Sequence, residues 1–91
     1  MTESGTLEFM LQSAQIRAAR ALLAWRQEDL AKASKTGLAT IARIEQMEGL
    51  AQGHVATIIR IQNALERAGI RFIDGEGGGY GVFLERKPKK R

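Results

Sequence analysis

Few side chains in this sequence of 91 residues have the types and spacing that catalysis requires. The hydroxyls of Ser13, Ser34 and Thr36 have no histidine nearby to act as a base, so they are poor nucleophiles. The single histidine, His54, lacks the cysteines and clustered carboxylates of a metal site, so we expect it in a loop, near a phosphate or in water. The glycine run Gly75–Tyr80 has tyrosine where a G-x-G-x-x-G phosphate loop needs its last glycine. We therefore expect neither an enzyme nor a cofactor.

A functional spacing is present in the central segment, from Trp25 to Glu45. Two short stretches with helical patterns are separated by a turn of about four residues, Lys35–Leu38. The small residue Ala31 lies where two such helices would cross. The second stretch alternates inward isoleucines with short outward residues that can approach DNA closely. This arrangement predicts a helix-turn-helix.

Neighbouring elements must hold these two helices in place. The apolar residues Ile16, Ala19 and Leu23 share one helical face, and Ser13 is a plausible N-cap for that first helix. We expect Trp25 to pack between the first two helices. The remaining bounds follow from apolar spacing and from glycines that end helices: a second helix over Gln27–Ser34, a third ending near Glu48–Gly49, and a fourth over Val55–Ala68.

After Gly69 the pattern changes to short β-prone runs. Ile70–Ile73 and Val82–Leu84 flank a glycine-rich stretch that can form a turn, so a two-stranded element is expected. A lone hairpin is only marginally stable in water, so the strands must pack on the helices or on another chain. The sequence thus predicts a mainly α fold, a bundle of four to five helices with a short C-terminal β element.

The central segment resembles the xenobiotic-response-element (XRE) family of phage-repressor-like helix-turn-helix regulators. The family pattern S-Q-E-x-L-A, a turn and x-x-x-I-x-x-I-E is similar to Gln27–Ala31 and Ala39–Glu45, and the resemblance covers about residues 13–68. It implies a lambda-repressor-like fold. Together with the β-prone runs and the basic end of the sequence, it divides the chain into four segments: an N-terminal arm over 1–12, a helix-turn-helix DNA-binding domain over 13–69, a β-hairpin over 70–85 and a basic tail over 86–91.

The resemblance also implies roles for individual residues. Gln27 would bind a phosphate and brace the recognition helix, and Arg43 would read a guanine through its two-pronged guanidinium. Arg20 and Glu45 match a structural ion pair of the family, although Arg20 could also touch the DNA backbone. The DNA-contacting set is then Gln27, Leu38, Ala39, Thr40, Arg43, Arg17, Gln52 and His54.

The turn departs from the family pattern, which usually has glycine, an apolar residue and then serine or threonine as the cap. Here these places hold Lys35, Thr36 and Gly37. Lys35 would therefore adopt a positive φ, at a strain of about 1 kcal/mol. Gly37 would cap the third helix without a hydroxyl. This difference affects which outward residue reaches which base.

The formal net charge of +4 is unevenly distributed. The tail Arg86–Arg91 contains five basic residues, which leaves −1 for residues 1–85. Residues 13–36 are locally basic, with five basic and two acidic side chains. A basic patch favours an anionic partner, nucleic acid first. We expect the tail to be either a solvated terminus or an arm that raises DNA affinity without adding specificity.

One recognition helix reads only a few base pairs, so we expect a homodimer on a pseudo-palindromic operator. The first candidates for the dimer interface are the apolar residues of the strands: Ile70, Phe72, Ile73, Val82, Phe83 and Leu84. The patch Leu7–Leu11 is the second candidate. The N-terminal arm is either frayed or a helical turn on the core or on a second subunit, and the two alternatives stay open.

Taken together, these features predict a DNA-binding transcriptional regulator, acting as a repressor. Two alternatives are an antitoxin that represses its own operon and binds a toxin, and a helix-turn-helix that has lost DNA binding and binds a protein. The sequence has neither an apolar run long enough to cross a membrane nor the pattern of a signal peptide, so a cytoplasmic location is expected.

Overall fold

The computed structural model describes residues 11–74 and 76–85, and within them the chain is mainly helical with one small antiparallel sheet. The expectations for Leu7–Met10 and for the tail Arg86–Arg91 lie outside these residues. No helix within them is long and apolar enough to cross a membrane. The elements are α1 (Ser13–Leu23), α2 (Gln27–Ser34), α3 (Leu38–Gln46), α4 (Val55–Arg67), β1 (Ile70–Asp74) and β2 (Tyr80–Leu84), with a 3-10 turn at Glu76–Gly78.

One apolar core joins the four helices to the first strand. The inward stripes expected from the spacing are confirmed, because Ile16, Ile41 and Ile61 are all at most 1% exposed. Trp25 is half-buried against this core, between α1 and α2. The buried apolar residues are Leu11, Ile16, Ala19, Leu30, Ile41, Ile44, Ile61, Ala64, Leu65 and Ile70.

The start of α1 differs from the expectation by one residue. Gln12, with extended backbone, is the N-cap, and Ser13 is the first helical residue. Ser13 does not cap its own helix, because it is fully buried and its Oγ donates to the Ile44 carbonyl at 2.7 Å. Leu11 is a core residue, and Gln12 forms a β-bridge with Leu50, so both belong to the folded unit.

Helix α3 ends at Gln46, earlier than the predicted end near Glu48–Gly49. Side chains of α1 bind its last turn: Ser13 Oγ donates to the Ile44 carbonyl, and Arg17 Nη1 donates to the Glu45 carbonyl. A helix leaves its last carbonyls without intrahelical donors, and here another helix supplies them. Gly49 does have the positive φ of +80° that favours glycine, but it lies in the following loop.

The turn between α2 and α3 has the conformation that the sequence predicts. Lys35 is left-handed, with φ 56° and ψ 43°, and Gly37 is the N-cap of α3. The Thr36 backbone N–H donates to the Ala31 carbonyl at 3.0 Å, which closes the end of α2. Thr36 is buried, and its hydroxyl donates to the Ser34 carbonyl at 3.2 Å. Local hydrogen bonds therefore hold Lys35 in its strained conformation.

The hairpin packs one face on the bundle, which corrects part of the expected dimer interface. Ile70 is 1% exposed and belongs to the chain's own core, so it is not available to a second subunit. Three more of the proposed interface residues are half-buried and pack on that core: Phe72, Val82 and Leu84. The bundle covers this face, contrary to the expectation that the strands have too little core of their own. Ile73 and Phe83 remain about half exposed.

Gly69 connects α4 to β1 with a backbone that only glycine adopts easily. Its φ is +111°, and a Cβ atom there would lie 3.0 Å from the Glu85 carbonyl oxygen. We expect Gly69→Ala to lower the free energy of unfolding by roughly 1–3 kcal/mol, because strain and a backbone clash add. Gly77→Ala is the matched control, since Gly77 has φ +80° and open space around it. Urea unfolding measures both, and equal losses would show that the clash contributes nothing.

Candidate nucleic-acid interface

Helix α3 has one face in the core and one in solvent. Ile41 and Ile44 are buried at 1% exposure each, because their spacing places them on the same side of the helix. Arg43 is exposed and takes part in none of the ion pairs among the described residues. The outward face contains the four DNA contacts predicted for this helix, Leu38, Ala39, Thr40 and Arg43. Thr40 is half-buried and the other three are exposed.

The start of α4 lies beside this outward face. An open groove of about 460 Å³ is lined by Thr40 and Arg43 of α3 and by Gly53, His54 and Thr57 of the adjoining loop and helix. His54 is the N-cap residue of α4 and is exposed, without a side-chain capping bond. The first amides of a helix have no intrahelical acceptor and attract anions. A cation, two hydroxyls and an imidazole thus border one groove at the N-terminal end of α4.

The buried carboxylate of Glu45 joins helices α1, α2 and α3 behind this surface. Glu45 is 3% exposed, and its oxygens accept bonds from Arg20 Nε and Nη2, each at 2.8 Å. Gln27 Nε2 donates to the same carboxylate at 3.0 Å. The third guanidinium nitrogen of Arg20 is hydrogen-bonded as well: Nη1 donates to the Trp25 carbonyl at 2.9 Å. The orientation of α3 is therefore fixed by side chains from α1 and α2.

The electrostatics of this cluster favour the charged pair. Hydrogen bonding to the Glu45 carboxylate raises the pKa of Arg20, against a smaller opposite effect of burial. The side chain of Arg20 is 22% exposed, so its charge is partly solvated while that of Glu45 is not. A two-pronged arginine–carboxylate bond of this kind is also directional, and it holds both helices at one angle.

The other predicted contacts are placed as follows. Gln27 is half-buried and turned towards Glu45, the position from which it can brace α3. Arg17 is exposed, although one guanidinium nitrogen is bound to the end of α3. Gln52 is exposed in the loop before α4, and its backbone N–H lies 3.4 Å from the sulfur of Met47. Arg17 and Gln52 do not line the groove.

Thr57 lines this groove and Arg60 contacts Thr57, and neither was anticipated. Arg60 Nε donates to the Ser34 carbonyl at 3.3 Å, which ties α4 to the end of α2, and its Nη2 lies 3.5 Å from Thr57 Oγ1. Thr57 could have been found, because it follows His54 by three residues and so shares its helical face. Nothing local points to the bond from Arg60 to Ser34, since the two residues are 26 positions apart.

Asp29, in the first turn of α2, allows a prediction about how the stability of the protein depends on pH. The Asp29 carboxylate accepts the backbone N–H of Arg26 at 2.8 Å, and this bond lowers the pKa of Asp29. A lowered folded-state pKa stabilises the protein above the unfolded value of about 3.9, and the stabilisation is lost as the pH falls through the folded value. We expect Asp29→Asn to reduce the fall of the melting temperature between neutral and acid pH. Equal profiles for the wild type and Asp29→Asn would contradict the assignment.

Comparison with other proteins adds no relative to this description. No protein-family model matches the chain, and the search of curated proteins finds no match to it.

Proposed function

We propose that this protein is a sequence-specific DNA-binding transcriptional regulator, a repressor that binds a pseudo-palindromic operator as a homodimer. In this proposal the bundle is lambda-repressor-like and belongs to the XRE family, and α3 is the recognition helix in the major groove. One observation carries the proposal. The exposed side of α3 presents an arginine, Arg43, that joins no ion pair among the described residues and lies in a groove shared with the start of α4.

The geometry of α3 supports direct base recognition. A recognition helix must bury one face for rigidity and expose another with side chains that reach base edges. Arg43 is the group for guanine, and Thr40 can bind a phosphate, a base edge or a thymine methyl group. Leu38 and Ala39 permit close approach at the first turn of α3, with only apolar contacts.

The surroundings of α3 support binding of the phosphate backbone on both sides. His54 and the first amides of α4 flank the groove on one side, and helix N-termini bind phosphate through free N–H groups. On the other side, Gln27 is at the first position of α2, next to Glu45. Arg17 and Gln52 would contribute at the edges. Contacts of this kind set the register of the helix, while Arg43 supplies the choice of base.

The test is a binding titration on a duplex that spans the gene's own promoter, at two salt concentrations. We expect Arg43→Ala to weaken specific binding by about 5- to 150-fold, equivalent to the roughly 1–3 kcal/mol of a bidentate base contact. The matched control is Arg67→Ala, which removes an equal charge from the last turn of α4. Arg67 is about 15 Å along the helix from Thr57, the groove residue nearest to it in α4, given a rise of about 1.5 Å per residue.

The salt dependence separates base recognition from general attraction. A lost phosphate contact weakens binding to every sequence and lowers the salt slope by about one, whereas a lost base contact relaxes preference at one position. We expect the second pattern for Arg43→Ala. If wild type and Arg43→Ala bind any duplex equally weakly, the specific-regulator proposal is wrong. If Arg43→Ala and Gln27→Ala also leave the cellular function intact, the protein-interaction alternative replaces it.

A second candidate function is an antitoxin that also represses its own operon. The observation in its favour is the outer face of the hairpin, where Ile73 and Phe83 are 48% and 52% exposed. Such a face could contact a toxin instead of a second copy. Co-expression of this protein with the product of the adjacent gene distinguishes the two functions. A complex between them that Phe83→Ser disrupts would favour the antitoxin. A homodimer that Phe83→Ser disrupts in the isolated protein would favour the simple repressor.

A further inference from the structure

Gln15 connects α1 to the hairpin through its side-chain amide. It is 4% exposed, and Nε2 donates to the Gly81 carbonyl at 2.8 Å and to the Ile73 carbonyl at 3.3 Å. Its Oε1 accepts the backbone N–H of Gln12 at 2.9 Å. Ile73 and Gly81 are partners across the two strands, so one amide holds both strands at the same level. Because both the oxygen and the nitrogen of this buried amide have hydrogen-bond partners, the amide has one favoured orientation. The hairpin that it binds is therefore held in one orientation as well.

The same turn of α1 also holds the end of the proposed recognition helix. Ser13 Oγ donates to the Ile44 carbonyl at 2.7 Å, and the Ser13 N–H donates to the Gly49 carbonyl at 2.9 Å. Ser13 and Gln15 are two residues apart on one rigid helix and point to different neighbours. The angle between α3 and the hairpin is therefore set through about one turn of α1.

The outer face of the hairpin is on the opposite side from Gln15. Ile73 and Phe83 are exposed there, and one end of the hairpin has an oppositely charged pair, Arg71 near the start of β1 and Glu85 just after β2, at 3.3 Å. A patch with an apolar centre, one cation and one anion is complementary to its own copy across a two-fold axis. In such a dimer any tilt of the hairpin occurs in both subunits. The two displacements add, so the distance between the two recognition helices changes by twice the shift in one subunit.

We propose that Gln15 is a positioning residue for operator choice: by fixing the hairpin relative to α3, it sets the spacing between half-sites that the dimer accepts. This inference rests on the proposed function. Gln15 touches no DNA in this arrangement. It acts on the distance between the two copies of α3, whereas Arg43 acts on the identity of the bases.

The experiment is selection from a pool of randomised duplexes of about 30 base pairs, long enough for two half-sites roughly one helical turn apart. We expect the wild-type protein to enrich one half-site motif, repeated at one spacing that is preferred at least about tenfold over spacings one base pair longer or shorter. Gln15→Met keeps length and volume but removes the amide. We expect it to enrich the same half-site motif with the preference between spacings reduced to about threefold or less, because the hairpin is no longer held at one angle.

Gln62→Met is the matched control, because Gln62 lines the same small groove beside the hairpin but, within residues 11–74 and 76–85, its side chain bonds only to Glu66 in its own helix. It should retain the wild-type spacing preference. If Gln15→Met also retains it while dimeric, as shown by analytical ultracentrifugation, the positioning role is wrong. If the wild-type protein enriches no repeated motif, the proposed function itself fails, and this inference falls with it.

A second variant keeps the test decisive if Gln15→Met does not give the helical circular dichroism of the wild type. Gln15→Asn retains a buried amide but is one methylene shorter, so it cannot reach both strands from the same backbone position. A relaxed spacing preference with an unchanged half-site motif supports the inference. An unchanged spacing preference overturns it.

Discussion

Replacing Glu45 with alanine is expected to lower the free energy of unfolding by about 3 kcal/mol, the lower end of the range for breaking a buried ion pair. Glu45 is 3% exposed and accepts three hydrogen bonds, two from Arg20 and one from Gln27. Its removal leaves the guanidinium without its main partner. The effect is at the lower end because Arg20 is 22% exposed and retains its bond to the Trp25 carbonyl.

Urea unfolding followed by circular dichroism measures this loss, and Glu85→Ala is its matched control. Glu85 pairs with Arg71 at 3.3 Å, but the two side chains are 53% and 66% exposed, so breaking this pair should change stability by less than about 1 kcal/mol. The double variant Arg20→Met with Glu45→Leu removes both charges together. It should be more stable than Glu45→Ala, because no buried charge is left unpaired. A Glu45→Ala loss no greater than that of Glu85→Ala would show that the buried pair is not needed.

Truncating Ile44 to alanine is expected to lower stability by about 2–5 kcal/mol, and Ile44→Val by about 0.5–1.5 kcal/mol. Ile44 is 1% exposed on the inner face of α3, so truncation leaves a cavity under the proposed recognition surface. The loop before α4 lies close to this side chain, since a Cβ added to Gly53 would be 3.9 Å from Ile44 Cδ1. The graded loss from valine to alanine is the signature of lost packing.

Ile59→Ala is the control for Ile44, because Ile59 is the same residue type with 38% exposure. It should lose about 1 kcal/mol or less. The slope of stability against urea concentration should stay constant across the three variants, which shows that the same surface unfolds in each. If Ile44→Ala and Ile59→Ala lose equal stability, the inner face of α3 is not a packed interior.

Local information accounts for most of the helical framework. Helix α2 has the predicted bounds, Gln27–Ser34, and α4 begins at the predicted Val55. In both helices the apolar period and the flanking turn residues point to the same structure, so neighbours are not needed to decide it. The left-handed conformation of Lys35, which the family resemblance implies, is also observed.

The errors occur where a partner distant in sequence decides the structure. The early end of α3 depends on Ser13 and Arg17, which lie 31 and 28 residues from the carbonyls they bind. The burial of Ile70 depends on the bundle against which β1 packs. The amide bonds of Gln15 span 58 and 66 residues, and its own neighbourhood shows only a polar residue next to an apolar stripe. Periodicity cannot reveal a bond whose acceptor lies on another element.

The sequence by itself determined that this chain forms short amphipathic helices with a tight turn between the second and third, followed by two β-prone runs. It also determined which side chains could serve an anionic partner, because residue types and helical faces are local properties. Only the tertiary structure decided that Thr40 and Arg43 share a groove with His54 and Thr57, and that the hairpin turns one face inward. The physical reason is that a groove and a covered face exist only between elements, and their packing depends on the core they bury together.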